Sequence, residues 1–331
     1  MKTKKAAMAV AAFGLALGSM ALDTAKADTF GTGTNAFTMD FVEVGNPGNA
    51  NDSTGYGAVA NTFRIGTFEV SRDMITKANA AGSLLIDMTN MSSWGGNGPN
   101  RAANGVSWNE AARFVNWLNT SKGYSAAYKF ALQPGDAGYS QDANIQLWDS
   151  GDSGYNAANR YRNSNAFYYL PSEDEWYKAA YYSGTGSTYY DYATMSNTTP
   201  TAVAGGTGAN EVVYNQALAT GPGDITNAGG LSYYGTMAQN GNVFEQLENS
   251  STGANDSGAN NRLVRGGFWN NNSTSYLNAG GGNTRLNFAP DNEAYYFGFR
   301  VASVIPEPST AAMMLMAGGA FLLKRRKANR L

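Results

Sequence analysis

The chain of 331 residues has no cysteine and no histidine. Without cysteine there is no disulfide, so an exported domain of this sequence depends on core burial and bound ions for stability. Thiolate nucleophiles and thiol redox chemistry are excluded as well. The absence of histidine removes the commonest general base and a favoured ligand for zinc, copper and iron. Carboxylates, Lys, Tyr and Ser remain for catalysis. Charge is also scarce: 15% of residues are Asp, Glu, Lys or Arg, and the net charge is −2. That leaves no basic footprint for nucleic acid. What is abundant is tyrosine, with 20 residues, and glycine, with 40. A chain so rich in Tyr, Gly, Asn and Ser predicts a neutral surface of loops and short strands, a surface type suited to carbohydrate or protein.

Both ends carry export features. Lys2, Lys4 and Lys5 precede an apolar stretch from Ala6 to Ala21, and Ala25-Lys26-Ala27 offers a small-x-small cleavage site before Asp28. This predicts a secretory signal peptide over residues 1–27. At the other end, Ile305-Pro306-Glu307-Pro308-Ser309 is followed by an apolar run from Ala311 to Leu323 and a basic cluster, Lys324-Arg325-Arg326-Lys327. The run is about 13 residues, shorter than the roughly 20 that span a bilayer comfortably. The basic cluster belongs on the cytoplasmic side. The tail, residues 304–331, resembles the PEP-CTERM sorting signal of Gram-negative bacteria, carried here by Pro306, Glu307, Pro308, Arg325 and Arg326. The resemblance implies an exosortase as processing partner and cleavage near Pro306 to Pro308. It also implies membrane contact only through the tail before processing, and delivery to the cell surface or extracellular matrix.

Residues 28–303 form the domain. FTMDFVEV, Phe37 to Val44, alternates as a first strand, and Phe63 to Val70 reads as a second strand region. Ser71 caps a helix through about Ala80, with Asp73 in its first turn. Ser107 and Glu110 form a capping box ahead of Ala111, Phe114, Val115 and Leu118 at helical spacing. Pro171 ends an extended segment, and Ser172 caps a third helix whose first turn holds Glu173 and Glu175. Beyond Gly184 no further long helix is expected. The pattern is α+β and loop-rich.

Six motifs then fall in order: Phe68-Glu69-Val70-Ser71; Val106-Ser107-Trp108 with Trp117-Leu118; Leu170-Pro171-Ser172-Glu173-Asp174-Glu175-Trp176; Gly241-Asn242-Val243-Phe244-Glu245; Arg262 to Trp269 as RLVRGGFW; and Gly298-Phe299-Arg300. Together they resemble the formylglycine-generating enzyme, or sulfatase-modifying factor, family. The resemblance implies a loop-rich variant of the C-type lectin fold with few short helices and many short strands. It further implies calcium held by the carbonyls of Asn240, Gly241 and Val243 and the carboxylate of Glu245, with Asn215 opening a second site near Asp224. Hard cations favour such oxygen ligands. Arg265 and Arg300 are expected to pair with buried carboxylates, and Phe268 and Trp269 to plug the core.

One departure decides the functional reading. The family's two copper-binding cysteines align, through Arg265 to Trp269, with Asn271 and Tyr276. Neither supplies a soft thiolate, so copper and formylglycine generation by that chemistry are not expected. The replacement loop, Asn270 to Tyr276, is rich in amides and hydroxyls, and Trp269, Asn271, Asn272 and Tyr276 are its candidate ligand-binding residues. The leading reading is an exported, non-catalytic binding or structural module, with exopolysaccharide or a surface protein as partner. The alternative is an enzyme of different chemistry on the same scaffold, drawing on Glu245 and Glu248; failing that, Glu245 is a calcium ligand and Glu248 a surface residue.

Overall fold

The computed structural model describes residues 26–281 and 285–305. The sorting-signal residues Pro306, Glu307, Pro308, Arg325 and Arg326, and most of the signal peptide, lie outside the described residues. Among the described residues no helix is long and apolar enough to cross a membrane.

The first sheet gathers strands from both ends of the chain. It runs β1 (Lys26–Phe30), β2 (Phe37–Val44), β3 (Phe63–Gly66), then the last strand, β11 (Ala302–Ser303), and β4 (Tyr168–Tyr169). All these pairings are antiparallel. The alternation of β2 fits its setting: Phe37, Met39, Phe41 and Val44 are buried, while Thr38 and Asp40 face out. The second strand region ends sooner than its sequence suggests. Only Phe63–Gly66 is strand, because the chain then turns so that Val70 can pair with Ala103 and Phe299 and Ser71 can cap a helix. β1 was not foreseen. Lys26 and Ala27 pair with Phe41 and Asp40, so cleavage after Ala27 would fall inside this strand. Asp28 is the first residue beyond that point, and its carboxylate accepts from Arg64 Nη2 at 2.6 Å and from the Tyr168 hydroxyl at 2.9 Å.

Three helices pack beside this sheet. α1 (Arg72–Gly82) begins where Ser71 Oγ accepts from Met74 N–H. α2 (Trp108–Ser121) has the full capping box: Ser107 Oγ accepts from Glu110 N–H, and the Glu110 carboxylate accepts from Ser107 N–H. Its expected face, Ala111, Phe114, Val115 and Leu118, is wholly buried, as is Trp108, whose indole donates to the Leu247 carbonyl at 2.8 Å. α3 (Glu173–Tyr181) repeats the capping box with Ser172 and Glu175.

Later elements are short, as expected beyond Gly184. β5 (Thr201–Ala202) and β6 (Glu211–Val212) make a small parallel pair. A second sheet runs β10 (Phe297–Gly298), β7 (Phe244–Ser250), β8 (Arg262–Arg265) and β9 (Leu286–Phe288). β7 carries Glu245 and Glu248 into the interior between this sheet and the helices.

Candidate functional site

Asn240 to Glu245 enters β7 from a turn that needs a left-handed backbone at Gly241 (φ 78°) and Asn242 (φ 58°). A Cβ on Gly241 would lie 2.3 Å from the Val213 carbonyl oxygen, so glycine is required for the close approach as well. The turn delivers Glu245 to a fully buried position, opposite Arg300 from the end of β10. Arg300 Nε donates to Glu245 Oε2 at 2.5 Å and Nη2 to Oε1 at 2.6 Å; both side chains are 0% exposed. Trp176 Nε1 adds a bond to Oε2 at 2.8 Å. The rest of the guanidinium is spent on the carbonyls of Gly66 and Met237. This fork-to-fork pair is the buried Arg–carboxylate contact expected for Arg300.

A second acid lies beside it. Glu69 accepts from Val243 N–H and from the Asn242 amide. Burial, and after it the charge of Glu245, push the Glu69 carboxyl well above the usual carboxylate range. Both effects favour the protonated form of Glu69 beside the Arg300–Glu245 pair.

The Glu245 carboxylate does not fit a calcium ligand in this arrangement. A guanidinium and an indole N–H already occupy its oxygens, and a dication beside Arg300 would meet a like charge without solvent. The Asn240 side chain, as distinct from the carbonyl that the resemblance implies as a ligand, bonds inside the fold: Oδ1 accepts from Ala193 N–H, and Nδ2 donates to the Leu277 carbonyl and the Tyr181 hydroxyl. Asn215 sits on the exposed surface with its N–H on the Asn271 carbonyl, and Asp224 is also exposed.

The loop at the family's cysteine positions is built as a buttress. Gly266 (φ 102°) and Gly267 (φ 80°) carry the backbone under the core, where a Cβ on Gly267 would lie 3.0 Å from Asn271 Oδ1. Asn271 is 6% exposed; its Oδ1 accepts from Phe268 N–H at 2.6 Å and its carbonyl from Asn215 N–H at 2.7 Å. The Tyr276 ring sits edge-on to Phe244, 5.9 Å between centroids. Trp269 is wholly buried and donates to the Leu218 carbonyl. Trp269 and Asn271 are thus part of the packing, with Trp269 Nε1 and Asn271 Oδ1 bonded inside the fold. Asn272 is exposed and Tyr276 half-buried.

Two ion-pair centres were not foreseen in full. Glu173 accepts from Arg265, at 2.7 and 2.9 Å, and from Arg285, which fulfils the expectation for Arg265. Glu248 is 1% exposed and not a surface residue. Arg162 grips it through Nε and Nη2 at 2.6 to 3.0 Å, while the Tyr128 hydroxyl and the Asn159 amide fill its remaining lone pairs. With Glu245 and Glu248 each clamped by arginine, neither is free to act as an acid–base pair. Arg162 sits in the polar stretch Asn159-Arg160-Tyr161-Arg162-Asn163, and nothing in its spacing announces a buried partner 86 residues away.

Glu110, Asp142 and Glu293 bring carboxylate oxygens within 4.8 Å of one another. Burial raises Glu110 to about 8, and burial with the charge of Asp142 raises Glu293 to about 7. Folded pKa values above the unfolded ones mean that the native state holds more protons, so stability falls as pH rises from about 4.5 towards 8. Glu293→Gln removes one charge from the cluster. We expect it to flatten the fall in melting temperature between pH 5 and pH 8, with little change at pH 5. An unchanged slope would mean that Glu293 takes up no proton on folding in this range.

Comparison with known proteins places this geometry. Residues 26–305 match the family model described as "Sulfatase-modifying factor enzyme 1-like domain". No curated protein matches the chain in sequence. Among solved structures, Treponema denticola variable protein 1 is similar over 84% of this chain and 99% of its own, with a TM-score of 0.56 and 19% identity. CarF is similar over 81% of this chain and 99% of its own, with a TM-score of 0.52 and 19% identity. At such identities the likeness concerns the fold alone, and the loop-rich α+β arrangement is of the C-type-lectin-like kind. With its six motifs in order and a family-model match over residues 26–305, the chain belongs to the sulfatase-modifying factor enzyme 1-like family.

Proposed function

We propose that this is an exported, non-catalytic member of the family, a binding or structural module of the cell surface or extracellular matrix. The observation that carries the reading is the state of the cysteine positions. Asn271 and Tyr276 stand there, one bonded into the loop it supports and the other packed on Phe244. A copper centre needs soft ligands in reach of substrate, and this chain has neither Cys nor His to provide them. The terminal sequences support export: a signal peptide at one end, and at the other a tail resembling a substrate of exosortase.

The test has a catalytic and a cellular arm. Incubation with a sulfatase-motif peptide, copper and oxygen is expected to give no aldehyde by mass spectrometry. Intact mass of the protein from its native host is expected to show that both ends have been removed. Aldehyde formation would overturn the non-catalytic reading, and a mature extracellular form that keeps Arg325 and Arg326 would overturn the sorting reading.

A further inference from the structure

A cavity of about 470 Å³ is lined by the Asn61–Phe63 segment, the Asn156–Ala166 loop and the start of α3. Its volume lies within the range of about 300–1,000 Å³ usual for small-molecule sites. The charged groups in its lining are Arg162 and Glu175. Arg162 is held on one side by Glu248 and, through Nη2, by Glu175 at 3.3 Å. Its guanidinium also lies flat on the Tyr169 ring, 3.6 Å from the centroid. Every one of these contacts uses Nε, Nη2 or the face of the group. Nη1 makes no hydrogen bond to any described residue, although each neighbouring nitrogen is committed. A guanidinium fixed on three sides and left with one unsatisfied donor edge is a preorganised donor.

The other walls offer neutral polar groups. Asn61 and Ser164, from two different lining segments, are exposed, and their side chains make no hydrogen bond to a described residue. Thr62 and Ser172 add hydroxyls. An anion is a poor fit, because two carboxylates, Glu175 and Glu248, already surround the one cation, and a third negative charge would be repelled. A cation would meet the outward edge of the guanidinium. A stacking ligand finds no open platform, since Arg162 covers the face of Tyr169. What remains is a neutral ligand dense in hydroxyl groups, which can accept from Nη1, donate to Glu175 and trade bonds with amides on both walls.

We propose that this cavity binds a neutral saccharide. The proposal rests on the reading of the domain as a binding module and moves its site from the Asn271 loop to the Arg162 cavity.

Calorimetric titration of the full protein tests it with methyl glycosides of glucose, galactose and mannose and with the disaccharides cellobiose and lactose. Glucuronate and glucose 6-sulfate serve as anionic counterparts. At least one neutral sugar is expected to bind with Kd near or below about 1 mM, and its anionic counterpart at least about tenfold more weakly, a difference of about 1.4 kcal/mol. Asn61→Trp and Ser164→Trp fill the cavity from two different lining segments at exposed positions. Each is expected to weaken binding at least tenfold with an unchanged melting temperature. Preference for the anionic sugars, or no neutral sugar bound at about 10 mM, would overturn the proposal. Binding that survives both tryptophans would also overturn it while leaving the domain a binding module; loss of that binding in Asn272→Ala would return the site to the replacement loop.

Discussion

Arg300→Met is expected to destabilise the domain by about 3–5 kcal/mol, the usual cost of stranding one partner of a buried ion pair. The thioether fills much of the volume of the guanidinium stem but leaves the Glu245 carboxylate in a fully buried site with one indole N–H for company. It also releases the carbonyls of Gly66 and Met237, which Arg300 now satisfies. The double variant Arg300→Met/Glu245→Gln is expected to recover part of the loss, because an amide carries no net charge into the core. Urea denaturation followed by tryptophan fluorescence measures both. A cost below about 1 kcal/mol for Arg300→Met would show that the pair is dispensable. The same experiment bears on the cation that the turn's resemblance implies. If Glu245 serves Arg300, wild-type melting is unchanged between calcium and chelator; a calcium-dependent rise lost in Glu245→Gln would show that the carboxylate releases the arginine for the ion.

Glu248→Gln is expected to cost about 3 kcal/mol or more and to lower Tm by about 6–12 °C, at roughly 2–4 °C per kcal/mol for a domain of this size. The substitution is nearly isosteric, so the loss is one of charge and of lone pairs. One glutamine oxygen cannot serve the donors that now share two carboxylate oxygens: Tyr128 Oη at 2.9 Å, Asn159 Nδ2 at 2.6 Å and the Arg162 fork. The amide NH2 group must face at least one of them. Glu175, 3.3 Å from Arg162, keeps part of the charge balanced. A nearby exposed change such as Asn156→Ala serves as the control, because the side chain it removes bonds only Ala158 N–H and the backbone bond to Asn159 is kept. Melting within about 1 °C of wild type for Glu248→Gln would show that the network is not a stability centre.

The helices were legible because their signals are local. Ser71, Ser107 and Ser172 each cap within four residues of where they stand, and the apolar spacing of α2 is contained in one segment. β2 was equally plain, since its alternation is a two-residue rhythm. Three things were not. β1 overlaps the stretch whose composition reads as a cleavage site, and its pairing with β2 is set by tertiary contact. The Glu248 centre joins residues at 128, 159, 162 and 248 through side chains alone, and no spacing rule connects them. The burial of Trp269 and Asn271 was not legible for a related reason. A loop of amides and hydroxyls has the same composition whether those groups face solvent or bond the backbone beneath them, and only the fold distinguishes the two.

The placement of the last strand has a mechanical consequence. β11 lies between β3 and β4, and just beyond it Val304 N–H donates to the Phe167 carbonyl. Arg64 Nε bonds Ser303 Oγ at 2.9 Å while the same guanidinium holds Asp28 in β1, so the two outermost strands in sequence are cross-tied through one side chain. Any load applied through the residues that follow Val304 enters the domain along β11. Although β11 is only two residues long, it is bonded on both flanks, so a pull along its length loads its pairings with β3 and β4 together, whereas an edge strand has one neighbour to share the load. Tension entering by that route would be shared by β3 and β4 and, through Arg64, by β1 at the far edge of the sheet.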